Sequence, residues 1–253
     1  MLWLLKIGAL SYLGFGVLLY FGQRGMMYFP VPETSASGLD AETVPADGAD
    51  LKVWVLNPGQ SHALLYFGGN AENVAYNRDD FAAFLPGHTV YLVNYRGYGG
   101  SGGEPTEQAL FADALVLYDA FAPRHESLDV VGRSLGSGVA VHLASQRDIG
   151  RVALVSAHDS ALAVAQRLYP VYPVRWLLKD RYESVRYAAK VSAPVLLLAA
   201  ENDRIIPVVH TERLAEAFTQ APVEQVVVRG ADHNDISGYR DYWEALREFL
   251  ERR

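Results

Sequence analysis

The stretch that most constrains this chain runs from 128 to 144, LDVVGRSLGSGVAVHLA. Two valines, Val130 and Val131, lead into Gly132-Arg133-Ser134-Leu135-Gly136, and a small-residue helical pattern follows. The order is strand, tight turn, helix with Ser134 at the apex, which is the G-x-S-x-G pattern of a nucleophile elbow. A serine on so sharp a turn sits in strained backbone and lifts its hydroxyl clear of the sheet. The flanking glycines remove Cβ atoms that would meet the strand and the helix. An ordinary strand-to-helix turn can carry the same five residues, so the surrounding elements have to decide.

At 253 residues, half of them apolar, the chain is long enough for one sizeable α/β core. Its formal charge is -7 and its basic residues form no block, which argues against a nucleic-acid partner. There is no cysteine, so disulfides, thiol catalysis and thiolate metal sites are excluded. Residues 2–22, LWLLKIGALSYLGFGVLLYFG, carry Lys6 as their single charge. That is close to the ~20 apolar residues that span a bilayer, with Lys6 near enough to the end to reach the interface. A cleaved signal peptide and a buried core helix are rival readings. Against the first, no small-x-small site follows in Gln23-Arg24-Gly25-Met26-Met27-Tyr28. Against the second, so long a helix with almost no polar face is unusual in a soluble domain. The expectation is a single-pass signal anchor at 1–24 ahead of one domain at 25–253. Residues 33–50 are acidic, and the charge balance favours the non-cytoplasmic side for that domain.

Beyond the anchor, strand and helix signals alternate. Strands are expected at 26–31, 51–56, 63–67, 89–93, 152–155, 194–199 and 224–228, besides the elbow strand around Val130 and Val131, with an acidic loop between the first two. Helices are expected at 71–85, 107–121, 209–218 and 239–251, besides the elbow helix in the latter part of 128–144. Short continuous apolar strands between helices imply a mostly parallel, doubly wound α/β sheet buried on both faces. Residues 160–190 break the alternation: they give no strand and are rich in Tyr, Leu and Pro. They read as a small helical cap, about 157–192, over the carboxyl end of the sheet, where loops build sites. Tyr169, Tyr172 and Trp176 in the cap, with His158 just before it, are candidate pocket residues; the aromatics are equally well read as core.

A serine hydroxyl needs a base to take its proton and an acid to orient that base. After Ser134 the order in this fold is acid, then histidine. Asp203 follows the strand at 194–199 and His233 follows the strand at 224–228, so both leave the sheet at the edge from which Ser134 emerges. Glu201 and Asp235 are alternative acids. His210, at the start of a helix, reads as solvated surface. A metal role for His233 with Asp232 and Asp235 lacks a second ligand cluster. The oxyanion of an acyl transfer needs two fixed donors, each worth roughly 3 kcal/mol. Leu135 N–H, just after the nucleophile, and Asn70 N–H, in Gly68-Gly69-Asn70 after the strand at 63–67, are the candidates.

With these residues in hand, the chain resembles the α/β-hydrolase superfamily over 26–253. More narrowly it is similar to membrane-anchored serine hydrolases that include protein depalmitoylases and lipid hydrolases. The matching stretches are Met27-Tyr28-Phe29-Pro30, Gly69-Asn70-Ala71, Tyr95-Arg96-Gly97-Tyr98-Gly99, Gly132 to Gly136, His233-Asn234-Asp235-Ile236, and Tyr169-Pro170-Val171-Tyr172-Pro173-Val174 in the cap. The resemblance implies Ser134 as nucleophile, Asp203 as acid and His233 as base. It also implies a carboxylic ester or thioester substrate, a lipid or an acylated protein among them, with no cofactor or metal. Three departures stand out. Gly68 replaces the usual His of His-Gly-Asn, Asn94 replaces the usual Asp before Tyr-Arg-Gly-Tyr-Gly, and Ala157-His158-Asp159 replaces Pro-Phe-Thr. Arg96 reads as a structural ion-pair residue. A peptidase of the same fold and a non-catalytic, membrane-tethered binding protein on a hydrolase scaffold are the alternative functions.

Overall fold

The computed structural model describes residues 2–34 and 40–252, so part of the acidic segment, 35–39, lies outside the described residues. Among the described residues eight strands form one sheet in the order β1-β2-β4-β3-β5-β6-β7-β8. They are β1 (Asp40–Ala46), β2 (Ala49–Leu56), β3 (His62–Phe67), β4 (His88–Val93), β5 (Ser127–Arg133), β6 (Val152–Val155), β7 (Val195–Ala200) and β8 (Val223–Val228). The first two neighbour pairs, β1 with β2 and β2 with β4, are antiparallel. Every pairing from β4 to β8 is parallel. Strands β3, β4, β6 and β7 are buried almost throughout, as expected where helices cover both faces.

One face packs under α3 (Glu107–Phe121), α4 (Leu135–Ala144), α7 (Ser184–Ala188) and α8 (Val208–Ala217), around Phe67, Leu110, Val139 and Leu214. The other packs under α2 (Arg78–Phe84) and α9 (Arg240–Glu251), where Phe81 meets the Trp243 ring edge-on at 5.3 Å. The cap comprises α5 (Ala161–Leu168), α6 (Val174–Leu177) and α7, without a strand. Ser160 starts it as an N-cap, its hydroxyl accepting the Ala163 N–H at 3.0 Å. Ahead of the sheet, α1 (Leu2–Met27) is long and apolar enough, by length and composition, to cross a membrane.

Three elements differ from the sequence expectation. Residues 26–31 are not a strand: α1 runs on to Met27, the Phe29 N–H is taken by Asn70 Oδ1 at 2.9 Å and Tyr98 Oη at 3.0 Å, and Pro30 has no N–H. The expected acidic loop contains an edge strand instead, β1, which returns through Asp47-Gly48, with Gly48 at φ 72. The helix expected at 71–85 begins only at Arg78. Ala71 is at φ 58, and the Asn73 side chain accepts from the Ala75 N–H, giving a short 3₁₀ turn first.

Candidate active site

Strand β5 delivers Ser134 to the carboxyl edge of the sheet in a conformation that L-residues rarely adopt, φ 51 and ψ -113. The turn is held by the Ser134 N–H donating to the Val155 carbonyl at 2.8 Å, and by the Ser137 hydroxyl donating to the Ser134 carbonyl at 2.6 Å. Both elbow glycines are required sterically. A Cβ on Gly132 would stand 2.7 Å from the Ala140 Cβ, and one on Gly136 would collide with the Phe67 carbonyl. Leu135 is the first residue of α4, so its N–H has no partner within the helix.

Asp203 lies in the turn after β7, where its Oδ1 accepts the Ile205 and Ile206 N–H groups at 2.9 and 2.7 Å. Its Oδ2 lies 2.7 Å from His233 Nδ1, and His233 Nε2 lies 3.1 Å from Ser134 Oγ. Burial pushes the Asp203 carboxyl up, but hydrogen bonds from His233 and the Ile206 N–H outweigh it and hold the group below the usual carboxylate range. The alternative acids are engaged elsewhere. Glu201 accepts the Gly230 N–H at 2.8 Å, and Asp235 accepts the Asp232 N–H at 2.6 Å, shaping the loop that carries His233.

These groups open onto a cavity of about 440 Å³ lined by Asn70, Ser134, Leu135, His158 and His233 at one end. Apolar side chains of the cap and of α1 line the rest, among them Val164, Leu168, Leu177, Leu19 and Met26. Tyr169 and Tyr172 line it. Trp176 does not: it sits on the outer side of the one-turn helix α6 and is 80% exposed. His158 is buried on the cavity wall, where burial pulls its imidazole down to about 4. Its Nδ1 has no hydrogen-bond partner among the described residues. His210 is not solvated surface. It is buried, with Nδ1 2.8 Å from Asp159 Oδ1, because a carboxylate buried at the base of the cap needs a partner. The Asn70 side chain is occupied on its outer side, where Oδ1 also accepts the Tyr98 hydroxyl at 3.0 Å.

A family model described as TAP-like protein matches residues 165–252. Uncharacterized protein Rv2307c of Mycobacterium tuberculosis is 37% identical over 246 residues, covering 90% of this chain and 87% of the relative. Human alpha/beta hydrolase domain-containing protein 17B is 31% identical over 201 residues, covering 77% of this chain and 68% of the relative. The chain belongs to the α/β-hydrolase superfamily. The esterase Pf2001 of Pyrococcus furiosus has the same fold at a TM-score of 0.69, with 18% identity over 88% of this chain and 98% of that one. Mouse alpha/beta hydrolase domain-containing protein 10 superposes at 0.66, with 18% identity over 84% and 97% of the two chains.

Within an α/β-hydrolase the three departures acquire physical content. After Gly68 the loop is held by Glu72, whose Oε2 accepts the Gly69 N–H at 2.6 Å. The Asn94 amide donates to the Lys52 carbonyl at 3.0 Å, a bond that a carboxylate could not make. Asp159 anchors His210 and so ties α8 to the cap. Arg96 pairs with Asp113, as an ion-pair residue should, with Nε 2.7 Å from Oδ2. Sequence reasoning did not single out Glu72 or the α1 side chains in the cavity wall, and it gave Asp159 no partner. For Glu72 the available signal was a carboxylate three residues after Gly69, at the reach of a capping interaction.

Proposed function

We propose that this hydrolase is a membrane-anchored serine hydrolase that cleaves the carboxylic ester or thioester of an acyl substrate through an acyl-enzyme. The observation that carries the reading is the unbroken relay from Asp203 through His233 to Ser134, opening onto a cavity with largely apolar walls. In this reading His233 Nε2 takes the Ser134 proton as Oγ attacks the acyl carbonyl. It then returns the proton to the departing alcohol or thiol. Water, deprotonated by the same nitrogen, releases the acid and restores the serine. Asp203 holds the imidazole tautomer that leaves Nε2 free to accept, and it stabilises the imidazolium. The backbone N–H groups of Leu135 and Asn70 are the oxyanion donors, Leu135 with the added field of the α4 N-terminus. No step calls for a cofactor.

The anchor in this reading is residues 1–24 and the hydrolase domain is 25–253. Lys6, near the first end of the span, favours the non-cytoplasmic side for the domain, while Arg24 on the domain side, paired with Asp180 at 2.9 Å, weighs against it. The test is labelling by a fluorophosphonate probe, compared between the parent and Ser134→Ala. Labelling that vanishes in the variant supports the reading. A folded parent protein that does not label overturns it in favour of a binding scaffold.

A further inference from the structure

The anchor helix does not stand apart from the folded domain. The Tyr12 ring stacks flat on Tyr172 at 4.6 Å, the Tyr12 hydroxyl donates to the Val171 carbonyl at 2.8 Å, and the Tyr172 hydroxyl donates to the Tyr12 carbonyl at 3.2 Å. Nearer the helix end, Gln23 Nε2 donates to the Leu177 carbonyl at 3.2 Å and Gln23 Oε1 accepts the Lys179 N–H at 2.7 Å. From Tyr12 to Gln23 the helix rises about 16 Å. That matches one leaflet of a bilayer core about 30 Å thick. With residues 2–22 in lipid, the cap loop beside Tyr12 therefore lies in lipid as well.

The chemistry of that loop fits the place. Val171 is 71% exposed and Trp176 80%, and Leu168 beside them is exposed too. The polar groups at Tyr12, Val171 and Tyr172 satisfy one another across the helix, as groups removed from water must. Residues 160–190 carry six basic side chains against two acidic ones in a chain of net charge -7, with Arg167, Arg175 and Lys179 exposed. Apolar side chains with cations beside them suit an element that dips into a leaflet, the long Arg and Lys side chains reaching back to anionic headgroups. The same packing makes α1 a wall of the cavity, through Leu19, Tyr20, Met26 and Met27.

We propose that the cap loop from Tyr169 to Trp176 is seated in the leaflet beside α1, so that the cavity opens into the bilayer and takes the acyl chain of an ester resident there. The substrate half of this rests on the hydrolase reading above; the seating of the loop does not. The test uses the full chain in vesicles of phosphatidylcholine and phosphatidylglycerol. Val171→Trp, combined with Trp3→Phe and Trp176→Phe, makes position 171 the exposed indole, since Trp54 and Trp243 are buried. Phospholipids brominated on the acyl chain are expected to quench it by at least half. Quenching no greater than in the Trp3→Phe, Trp176→Phe protein overturns the seating. Separately, Val171→Glu is expected to slow hydrolysis of a vesicle-borne long-chain ester at least tenfold, while hydrolysis of a soluble butyrate ester and fluorophosphonate labelling stay within twofold. Equal effects on both esters, or on neither, overturn bilayer access. A parent that cleaves neither ester while the indole is quenched overturns the hydrolase reading and leaves the seating standing.

Discussion

His158 offers a sharp test of the site's electrostatics. Its ring is buried on the cavity wall and its imidazole is pulled down to about 4, so the folded protein holds it neutral. In the unfolded chain the same group takes up a proton near its ordinary value of about 6.5. Between those two values the unfolded state binds more protons, so stability is full above about pH 6.5 and is lost as pH falls toward 4. With these values linkage gives a loss of about 2 kcal/mol at pH 5 relative to pH 8. His158→Phe removes the titration and replaces a buried, unpartnered Nδ1 with carbon, relieving a cost of roughly 1–3 kcal/mol. The variant is expected to be at least as stable as the parent at pH 8, and to gain a further ~2 kcal/mol on it by pH 5. For a domain of this size that is about 4–8 °C in Tm. Thermal melts of both proteins in one detergent, followed by circular dichroism at the two pH values, read this directly. The carboxylates common to both proteins cancel in the double difference. A gap between the two melts that is the same at both pH values would refute the reasoning.

The other predictions concern the relay and its supports. Asp203→Asn keeps the shape but presents an amide where the imidazole N–H needs an acceptor and the imidazolium a negative charge. It is expected to lower kcat/KM on a p-nitrophenyl ester by about 10⁴ with the far-ultraviolet spectrum unchanged; a loss under tenfold would deny Asp203 its role. Gly136→Ala is expected to prevent the elbow from closing on the Phe67 carbonyl and to leave little folded protein, whereas Gly87→Ala, with nothing near its Cβ, melts like the parent. Arg133→Met strips the cation from partly buried Glu72 and the donor from the His233 carbonyl, and is expected to cost about 2 kcal/mol, read as a lower Tm; a melt unchanged from the parent's would refute it.

Much of the fold was legible because its signals are local. Helix α3 and strand β6 fall on the very residues read from the sequence, since a threonine cap with amphipathic spacing, and four apolar residues between turns, each have one local solution. The misses arise where distant partners decide. Strand β1 has a weak apolar pattern because it is an edge strand, and only its Asp47-Gly48 turn gave notice of it. Phe29 would suit a strand, but its N–H is claimed by Asn70 and Tyr98, residues far along the chain. Of the candidate site residues, Ser134, Asp203 and His233 converge because parallel strands deliver their carboxyl ends to one edge whatever the loops do. Trp176 and His210 went the other way for a common reason. One turn of helix in the cap, and the partner of a buried Asp159, are set by packing across the cap and leave no periodic mark in the sequence.

One of the chain's departures from its family's motifs falls where a single carboxylate braces the site. With Gly68 in place of the usual histidine, the loop after β3 is held by Glu72, a single carboxylate that accepts from four donors. Its Oε1 takes the Tyr66 hydroxyl and the Asn77 amide, both at 2.6 Å. Its Oε2 takes the Gly69 N–H at 2.6 Å and Arg133 Nη1 at 3.0 Å. Arg133 immediately precedes Ser134, and its Nη2 donates to the His233 carbonyl at 3.1 Å. One ion pair therefore joins the loop bearing Asn70, the elbow bearing Ser134 and the loop bearing His233. A partly buried pair of this kind contributes little net stability once its desolvation is counted. What it contributes is register. Three chain ends that leave separate strands are fixed relative to one another by a planar guanidinium whose two terminal nitrogens reach separate acceptors, Glu72 and the His233 carbonyl, a fork that lysine in the same position could not reproduce.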